Sequence, residues 1–335
     1  MRAPGFWWQS EPAGLARLLE PLGWLGGAIA TRRLGRPGRD PGVPVVCVGN
    51  PTVGGAGKTP TALALAQRLK AQGRHPVFLT RGDGGKLPGP FLVTPAHRAA
   101  ATGDEPLLLA RVAPTVVARD RRAGAELAVT AQADVVVMDD GFQNPALAKA
   151  LSVLVVDGAV GVGNGLCLPA GPLRAPLAPQ FARAQAVLLI GEGAPGEQVA
   201  QAALGQGLVV LRGRLAPEAE GAARLFGHRV AAFAGIGRPA KFFETLRQIG
   251  ATPVLARGFP DHHAYSVSEA LELRRAADAG DLQLVTTEKD AVRLLGTPAG
   301  EILGPVLRVL PVRLVLERDS MLALDALLAR ALARG

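Results

Sequence analysis

Short, continuously apolar runs recur along the chain from residue 43 onward, separated by Gly-rich turns and by Ala-, Leu- and Arg-rich stretches. Apolar runs of this length are typical of parallel β-strands covered on both faces, and the stretches between them are typical of helices. The alternation therefore predicts an α/β fold. The predicted strands lie at 43–48, 76–80, 115–118, 133–138, 152–156, 230–234, 252–256, 282–286 and 311–316.

The first 40 residues have a different pattern, in which apolar side chains recur at helical spacing beside tryptophans and a short arginine run. This combination is typical of an amphipathic helix that lies in a membrane interface. The alternative is a helix docked on the protein's own core. The apolar stripe consists of Leu15, Leu18, Leu19, Leu22, Leu25 and Ile29. The tryptophans beside it are Trp7, Trp8 and Trp24, and the arginine run consists of Arg32, Arg33, Arg36 and Arg39.

These patterns divide the 335 residues into four parts. We expect an N-terminal helix and basic segment at 1–40, a core α/β domain at 41–212, a linker at 213–228 and a C-terminal α/β domain at 229–335. No apolar run is long enough to span a bilayer, and no signal-peptide pattern is present, so a peripheral association with the membrane is expected. The two cysteines are 120 residues apart and predict neither a disulfide framework nor a metal site.

The net charge of +9 favours anionic partners such as phosphates or acidic lipid. The arginines are dispersed and are not interleaved with aromatic residues, so nucleic acid is not an expected partner. We expect a monomer.

One motif indicates a nucleotide. The predicted strand at 43–48 leads into a glycine loop that ends in Lys58 and Thr59, and an Ala- and Leu-rich stretch follows. Successive backbone N–H groups of such a loop bind phosphates, its lysine reaches the β- and γ-phosphates, and its hydroxyl ligates Mg²⁺. Thr52 replaces the first glycine of the strict pattern, and Val53 stands where partition-type ATPases have a second lysine. The expected nucleotide-binding residues are Thr52, Val53, Gly54, Gly55, Ala56, Gly57, Lys58 and Thr59.

A second motif supplies carboxylates. Asp139 and Asp140 follow an apolar strand, and Gln143 comes three residues later. A strand that ends in Asp places its carboxylate at the carboxyl edge of the sheet, where a phosphate-loop protein holds its metal. We expect Asp139 or Asp140, together with Thr59, to ligate Mg²⁺.

Two further segments are ambiguous by themselves. Asp104 precedes Glu105 and Pro106, which is also the pattern of a helix N-cap. His262 lies in an Asp-His-His run that also fits a turn with a hydrogen-bonded histidine.

Taken together, these segments resemble the tetraacyldisaccharide 4'-kinase family, the lipid A 4'-kinases of Gram-negative bacteria. The resemblance runs nearly from end to end, and its most specific parts are the Asp-Asp-Gly-Phe-Gln and Leu-Pro-Ala-Gly-Pro-Leu-Arg segments. The matching segments are 48–50 with 54–60, 79–82, 103–106, 120–121, 139–143, 163–165 with 168–174, 233–237, 261–263 and 287–290.

The resemblance implies a P-loop NTPase-like fold of two α/β/α sandwich domains, with the active site in the cleft between them and an N-terminal helix at the membrane. It also implies transfer of the ATP γ-phosphoryl group, with Mg²⁺, to the 4'-hydroxyl of a tetraacylated glucosamine disaccharide 1-phosphate. The reaction would take place at the cytoplasmic face of the inner membrane.

The same resemblance implies residue roles. Asp104 would be the general base on the sugar hydroxyl with His262 paired to it, Lys58 would neutralise phosphate charge, and Gln143 would line the same site as a nucleotide-binding residue. The candidates for binding the 1-phosphate of the acceptor are Arg81, Arg121, Arg122 and Arg174. Two positions depart from the family pattern, Asp83 in place of an aromatic residue and Ala175 in place of a glutamate.

Two other functions remain open on the sequence. One is a P-loop kinase of a soluble sugar or nucleoside, and the other is a membrane-docked P-loop switch ATPase. The role of the segment 287–290 is also open between a nucleotide contact and a helix cap.

Overall fold

The computed structural model describes residues 4–9, 11–12 and 14–333. The strands are β1 (Val45–Gly49), β2 (Pro76–Thr80), β3 (Phe91–Leu92), β4 (Thr115–Val117), β5 (Val135–Asp139), β6 (Leu151–Asp157), β7 (Ala186–Ile190), β8 (Val209–Pro217), β9 (Arg229–Ala234), β10 (Thr252–Gly258), β11 (Gln283–Thr287), β12 (Leu307–Leu310) and β13 (Val312–Leu316). The α-helices are α1 (Leu15–Leu34), α2 (Lys58–Ala71), α3 (Ala99–Thr102), α4 (Asp104–Leu109), α5 (Arg121–Thr130), α6 (Leu177–Phe181), α7 (Ala194–Gly205), α8 (Ala219–Ala223), α9 (Pro239–Gln248), α10 (Val267–Gly280), α11 (Glu288–Leu294), α12 (Pro298–Leu303) and α13 (Arg318–Leu332).

The larger sheet has nine strands in the order β13-β8-β7-β6-β1-β5-β2-β4-β3. It is parallel except at its two edges, where β3 and β13 run antiparallel to their neighbours. The central strands are buried along their whole length because helices cover both faces. Residues of α5, α6 and α7 belong to the core on one face, and residues of α2, α4 and α13 belong to the core on the other. This part of the chain, the large lobe, is an α/β/α sandwich.

The smaller sheet has four parallel strands in the order β10-β9-β11-β12. Helix α9 packs on one face, and α10, α11 and α12 pack on the other. This part, the small lobe, is a second three-layer unit. The predicted α/β class is therefore confirmed for both sheets.

The division of the chain differs from the expected one. The predicted C-terminal domain extends to residue 335, whereas β13 pairs with β8 in the large sheet. Helix α13 then packs on the large lobe, with Leu324, Leu327 and Leu328 buried in the same core cluster as α2. The small lobe is thus an insertion between β8 and β13. Pairing with β13 covers the edge of β8, which would otherwise be left with unpaired backbone groups.

Helix α1 has two faces of different composition. Gly23 and Gly27 face the large lobe, where a Cβ atom on Gly23 would lie 2.7 Å from the carbonyl oxygen of Cys167. The large apolar side chains of the predicted stripe point away, and Trp24 is 79% exposed. The helix is therefore docked through its small residues, and its apolar stripe is left uncovered. Among the described residues, no helix has the combination of length and apolar character that crossing a membrane requires.

Candidate active site

The glycine loop lies between β1 and α2, at the carboxyl edge of the large sheet. Gly54 and Gly57 have φ angles of +112° and +96°, which a residue with a Cβ atom rarely adopts. A Cβ atom at Gly57 would also lie 2.6 Å from the Cδ1 atom of Ile190. The chain thus enters α2 through a turn that favours glycine, and the start of a helix carries unpaired N–H groups that suit an anion.

The segment 168–174 forms one wall of this loop, a role that the sequence analysis did not assign to it. The backbone N–H of Val53 donates to the Pro172 carbonyl at 2.9 Å. The Arg174 Nε donates to the Thr52 carbonyl at 3.1 Å. Gln143 also contacts the loop, because its Nε2 donates to the Asn50 carbonyl at 3.0 Å.

Asp139 lies at the end of β5 and faces the start of α2. The Thr59 hydroxyl donates to its Oδ2 at 3.2 Å, and its Oδ1 is buried without a hydrogen-bond partner. Burial, reinforced by the negative charge of Glu105, raises the pKa of Asp139 to about 7. A carboxylate oxygen with no partner at such a site is suited to a cation.

Asp140 has different partners. Arg174 donates to both of its carboxylate oxygens, at 3.0 and 3.1 Å, and the Lys58 ammonium lies 3.7 Å from Oδ2. Burial alone would raise the pKa of Asp140, but the charges of Lys58 and Arg174 outweigh it, so that pKa lies below its usual range. The two adjacent carboxylates therefore differ, since Asp140 is neutralised by side chains and Asp139 is not.

Asp104 lies at the contact between the two lobes. It is buried at the start of α4 in the large lobe, and its partners come from the small lobe. The His262 Nδ1 lies 3.3 Å from Oδ1, and the Arg293 guanidinium donates to Oδ2 at 2.9 and 2.6 Å. Burial opposes ionisation, but the hydrogen bond from His262 and the charges of Lys289 and Arg293 hold the pKa of Asp104 well below its usual range. The predicted Asp104 and His262 pair is present in the structure.

The segment 287–290 caps helix α11, and its Lys289 side chain also contacts the opposite lobe across the cleft. The Thr287 hydroxyl accepts from the backbone N–H of Asp290 at 3.2 Å, as a cap of α11 does. The Lys289 ammonium donates to Glu105 at 2.6 Å. Sequence analysis missed Lys289 and Arg293 as site residues, although their spacing of four places both on one face of a helix.

The structure does not bring the four candidate acceptor arginines together. Arg174 lies beside the phosphate loop, whereas Arg81 is exposed and pairs with Asp83 at 3.7 Å. Arg121 is buried and donates to the Ala118 carbonyl, so it is not available at the surface. Arg122 is exposed and lines a cavity of about 590 Å³ beside Arg32, Arg33 and Arg36.

A second cavity, of about 270 Å³, connects α1 with the phosphate loop. Gly26, Ile29, Ala30 and Arg33 line one side of it, and Gln143 and Arg174 line the other. Ile29 and Arg33 belong to both cavities. Of the two departures from the family pattern, Asp83 pairs with Arg81 as described, and Ala175 is fully buried with its carbonyl accepting from Gln180 at 2.7 Å.

Within the described part of the chain, no cluster of three or more His, Cys, Asp or Glu side chains forms a metal cage. A Mg²⁺ ion bound with a nucleotide needs only one or two protein ligands, because phosphate oxygens and waters complete its shell. Thr59 and the unpaired Oδ1 of Asp139 fit that requirement.

Comparisons with known proteins agree with this geometry. A family model described as tetraacyldisaccharide-1-P 4'-kinase (LpxK) matches residues 15–332. The tetraacyldisaccharide 4'-kinase of Methylobacterium sp. (strain 4-46) is 58% identical over an alignment of 336 positions that covers 100% of this chain and 99% of that protein. The protein of the same name from Xanthobacter autotrophicus (strain ATCC BAA-1158 / Py2) is 53% identical and covers 100% of this chain and 98% of its own.

A solved structure is similar over nearly the whole fold. LpxK from Aquifex aeolicus, crystallised in complex with ATP, has a TM-score of 0.72 and 25% identity, and the match covers 95% of this chain and 100% of that chain. Family model, relatives and fold agree, and the chain belongs to the tetraacyldisaccharide 4'-kinase family.

Proposed function

We propose that this protein transfers the γ-phosphoryl group of ATP to the 4'-hydroxyl of a tetraacylated glucosamine disaccharide 1-phosphate. The observation that carries the proposal is a buried carboxylate, Asp104, paired with His262 in the cleft that contains the phosphate loop. An alcohol acceptor needs a group that takes its proton during phosphoryl transfer, and this carboxylate supplies one. The family to which the chain belongs supports the choice of acceptor.

In this proposal the phosphate loop holds the triphosphate. Backbone N–H groups at the start of α2 contact its oxygens, and Lys58 neutralises charge on the β- and γ-phosphates. Thr59 and Asp139 hold Mg²⁺, which supplies electrostatic stabilisation of the phosphates when it is bound. Arg174 and Gln143 keep the loop in shape through their hydrogen bonds to Thr52 and Asn50.

Asp104 acts as the general base. A sugar hydroxyl is a weak nucleophile, so a carboxylate oxygen takes its proton as the new P–O bond forms. The bond between the γ-phosphorus and the bridging oxygen breaks in the same step, and ADP leaves with that oxygen. The low pKa of Asp104 keeps the carboxylate ionised at neutral pH. His262 orients that carboxylate from the opposite lobe, and its own pKa is raised by the hydrogen bond to Asp104.

The acceptor approaches from the side of α1. The two cavities there expose arginines next to apolar side chains, which suits a ligand with a phosphate and acyl chains. Arg33, Arg122 and Arg174 line these cavities and are the candidates for the 1-phosphate, whereas Arg81 is not among the lining residues and Arg121 is buried. The uncovered stripe of α1 enters the membrane interface, which makes the protein peripheral at the cytoplasmic face of the inner membrane.

A mixed-micelle assay tests the proposal. We would supply γ-labelled ATP and Mg²⁺ and offer the tetraacyl disaccharide 1-phosphate beside its deacylated form, with Asp104→Asn as the control. Label on the acylated lipid that is lost in the variant is the expected result. Free phosphate alone would indicate a switch ATPase, and equal labelling of the deacylated sugar would indicate a kinase of soluble sugars.

A further inference from the structure

The side chain of Arg293 uses all three of its nitrogens in the cleft, although it is almost fully buried. Nε and Nη2 donate to Oδ2 of Asp104, at 2.9 and 2.6 Å. Nη1 donates to Oδ1 of Asp290 at 2.7 Å and to the carbonyl of Gly235. One guanidinium therefore joins a carboxylate of the large lobe to a carboxylate of the small lobe.

Asp290 is itself held in place from several directions. It accepts from the Thr287 hydroxyl at 2.6 Å, from the Gly235 N–H at 3.0 Å and from the Tyr265 hydroxyl at 2.8 Å. Burial, together with the charge of Asp290, raises the pKa of Tyr265, so its hydroxyl remains a donor. A carboxylate with this many donors cannot rotate freely, and it fixes the Arg293 fork in turn.

The consequence for Asp104 is that its two oxygens are not equivalent. Among the described residues each oxygen has two neighbouring donors, but those of Oδ2 belong to one fixed guanidinium and lie at 2.9 and 2.6 Å. The neighbours of Oδ1 are more distant, the His262 ring at 3.3 Å and the backbone N–H of Glu105 at 3.1 Å. A general base needs one carboxylate oxygen that is held at a defined position and is not tightly hydrogen-bonded, so that this oxygen can accept the proton.

We propose that Arg293 is a positioning residue for the general base, with Asp290 and Tyr265 supporting it, and that it reserves the Oδ1 atom of Asp104 for the acceptor hydroxyl. This inference rests on the proposed function. Because Arg293 and His262 lie on the small lobe and Asp104 on the large lobe, the base is oriented only while the lobes are together.

The charges around the pair support a pH test. Four titratable or charged groups face Asp104, namely His262 from the loop after β10, Lys289 and Arg293 from α11, and the adjacent Glu105 from α4. Arg293 faces Asp104, Asp290, Tyr265 and His262. Removing the Arg293 charge raises the pKa of Asp104, since one of the cations that favour its ionised form is lost. Activity should then fall at a higher pH as the solution is acidified.

The test compares Arg293→Met, Arg293→Lys and Tyr265→Phe with wild type in the mixed-micelle assay. Arg247→Met is the matched control, because Arg247 is an exposed arginine of the same lobe that pairs only with Glu244 within α9. For each protein we would measure kcat, the KM for ATP and the pH dependence of kcat/KM.

For Arg293→Met we expect kcat to fall by about 10- to 100-fold while the KM for ATP changes by less than about twofold. The acidic limb of its pH profile should move to higher pH. Arg293→Lys retains the charge but not the fork, so its kcat should fall while its acidic limb stays close to that of wild type. Tyr265→Phe should also lower kcat, by about 2- to 5-fold.

Three results would overturn the inference. One is a kcat for the Arg293 variants equal to that of Arg247→Met. Another is an unchanged acidic limb for Arg293→Met, which would show a structural role alone. The third applies if Arg293→Met does not fold, as judged by its Tm. In that case, wild-type values of kcat in both Arg293→Lys and Tyr265→Phe would refute the inference. Failure of wild type to label the lipid would instead refute the proposed function, and this inference with it.

Discussion

The uncovered stripe of α1 leads to a quantitative prediction about membrane binding. We consider a variant in which Leu18, Leu22 and Leu25 are replaced by glutamine. These side chains are 75%, 56% and 56% exposed, so they contribute little to the folded protein and can transfer their apolar surface to a membrane interface. Full transfer of a leucine side chain out of water is worth about 2 kcal/mol, so the three together contribute about 3 to 4 kcal/mol to membrane binding.

That free energy corresponds to a loss of about 300-fold in the partition coefficient, at about 1.4 kcal/mol per factor of ten. The assay is sedimentation with vesicles that contain anionic phospholipid, at a series of lipid concentrations. The Tm of the variant should equal that of wild type within error, because none of the three side chains belongs to a core cluster.

The matched control replaces Leu204, Leu271 and Leu322 by glutamine. These leucines are also exposed, but they lie on α7, α10 and α13. The control should bind vesicles as wild type does. Sedimentation of the α1 variant at wild-type lipid concentrations would refute the reasoning, as would an equal loss in both variants.

Four further predictions concern the cleft. Lys58→Met should reduce phosphoryl transfer to background in the γ-labelled assay, because the loop contains no other lysine. Asp104→Asn should lower kcat by about 10²- to 10⁴-fold with little change in the KM for ATP; near-normal turnover would remove Asp104 from the base role. Gly57→Ala should weaken ATP binding in calorimetry, since its Cβ would lie 2.6 Å from Ile190. His262→Gln should lower the free energy of unfolding most below pH 6.5, the ordinary pKa of histidine, and this difference from wild type should vanish as the pH rises through the raised pKa of His262. Urea titrations at several pH values would measure the difference. A difference that does not depend on pH would contradict the pairing of His262 with Asp104.

Local patterns were sufficient to predict much of the fold. The apolar runs at β1, β5 and β6 are read correctly because a strand covered on both faces is apolar along its length whatever lies around it. The strand, glycine turn and helix at β1 and α2 are predicted correctly, because Gly54 and Gly57 are required by the backbone of the turn itself. Asp139 follows from the same logic, since a residue at the end of a parallel strand must lie at the carboxyl edge of the sheet.

Features that depend on distant parts of the chain were not predictable in this way. The pairing of β13 with β8 joins segments about 100 residues apart, and nothing in the apolar run at 311–316 shows which sheet it enters. The burial of Arg121 depends on how α5 packs against the sheet, not on the residues beside it. Arg293 acquires its role only because α11 faces α4 across the cleft, so its position in the sequence carries no sign of Asp104.

The antiparallel pair of β8 and β13 has a consequence for how the chain folds during synthesis. Helix α13 belongs to the same core cluster as α2, the helix that follows the glycine loop, and Arg68 on α2 pairs with Asp325 on α13. These partners are about 250 residues apart, and the whole small lobe is translated between them. The small lobe can therefore close its own core on the ribosome while the large lobe still lacks its edge strand β13 and one helix, α13, of the layer that contains α2. The lobe whose synthesis begins first is thus the lobe that is completed last.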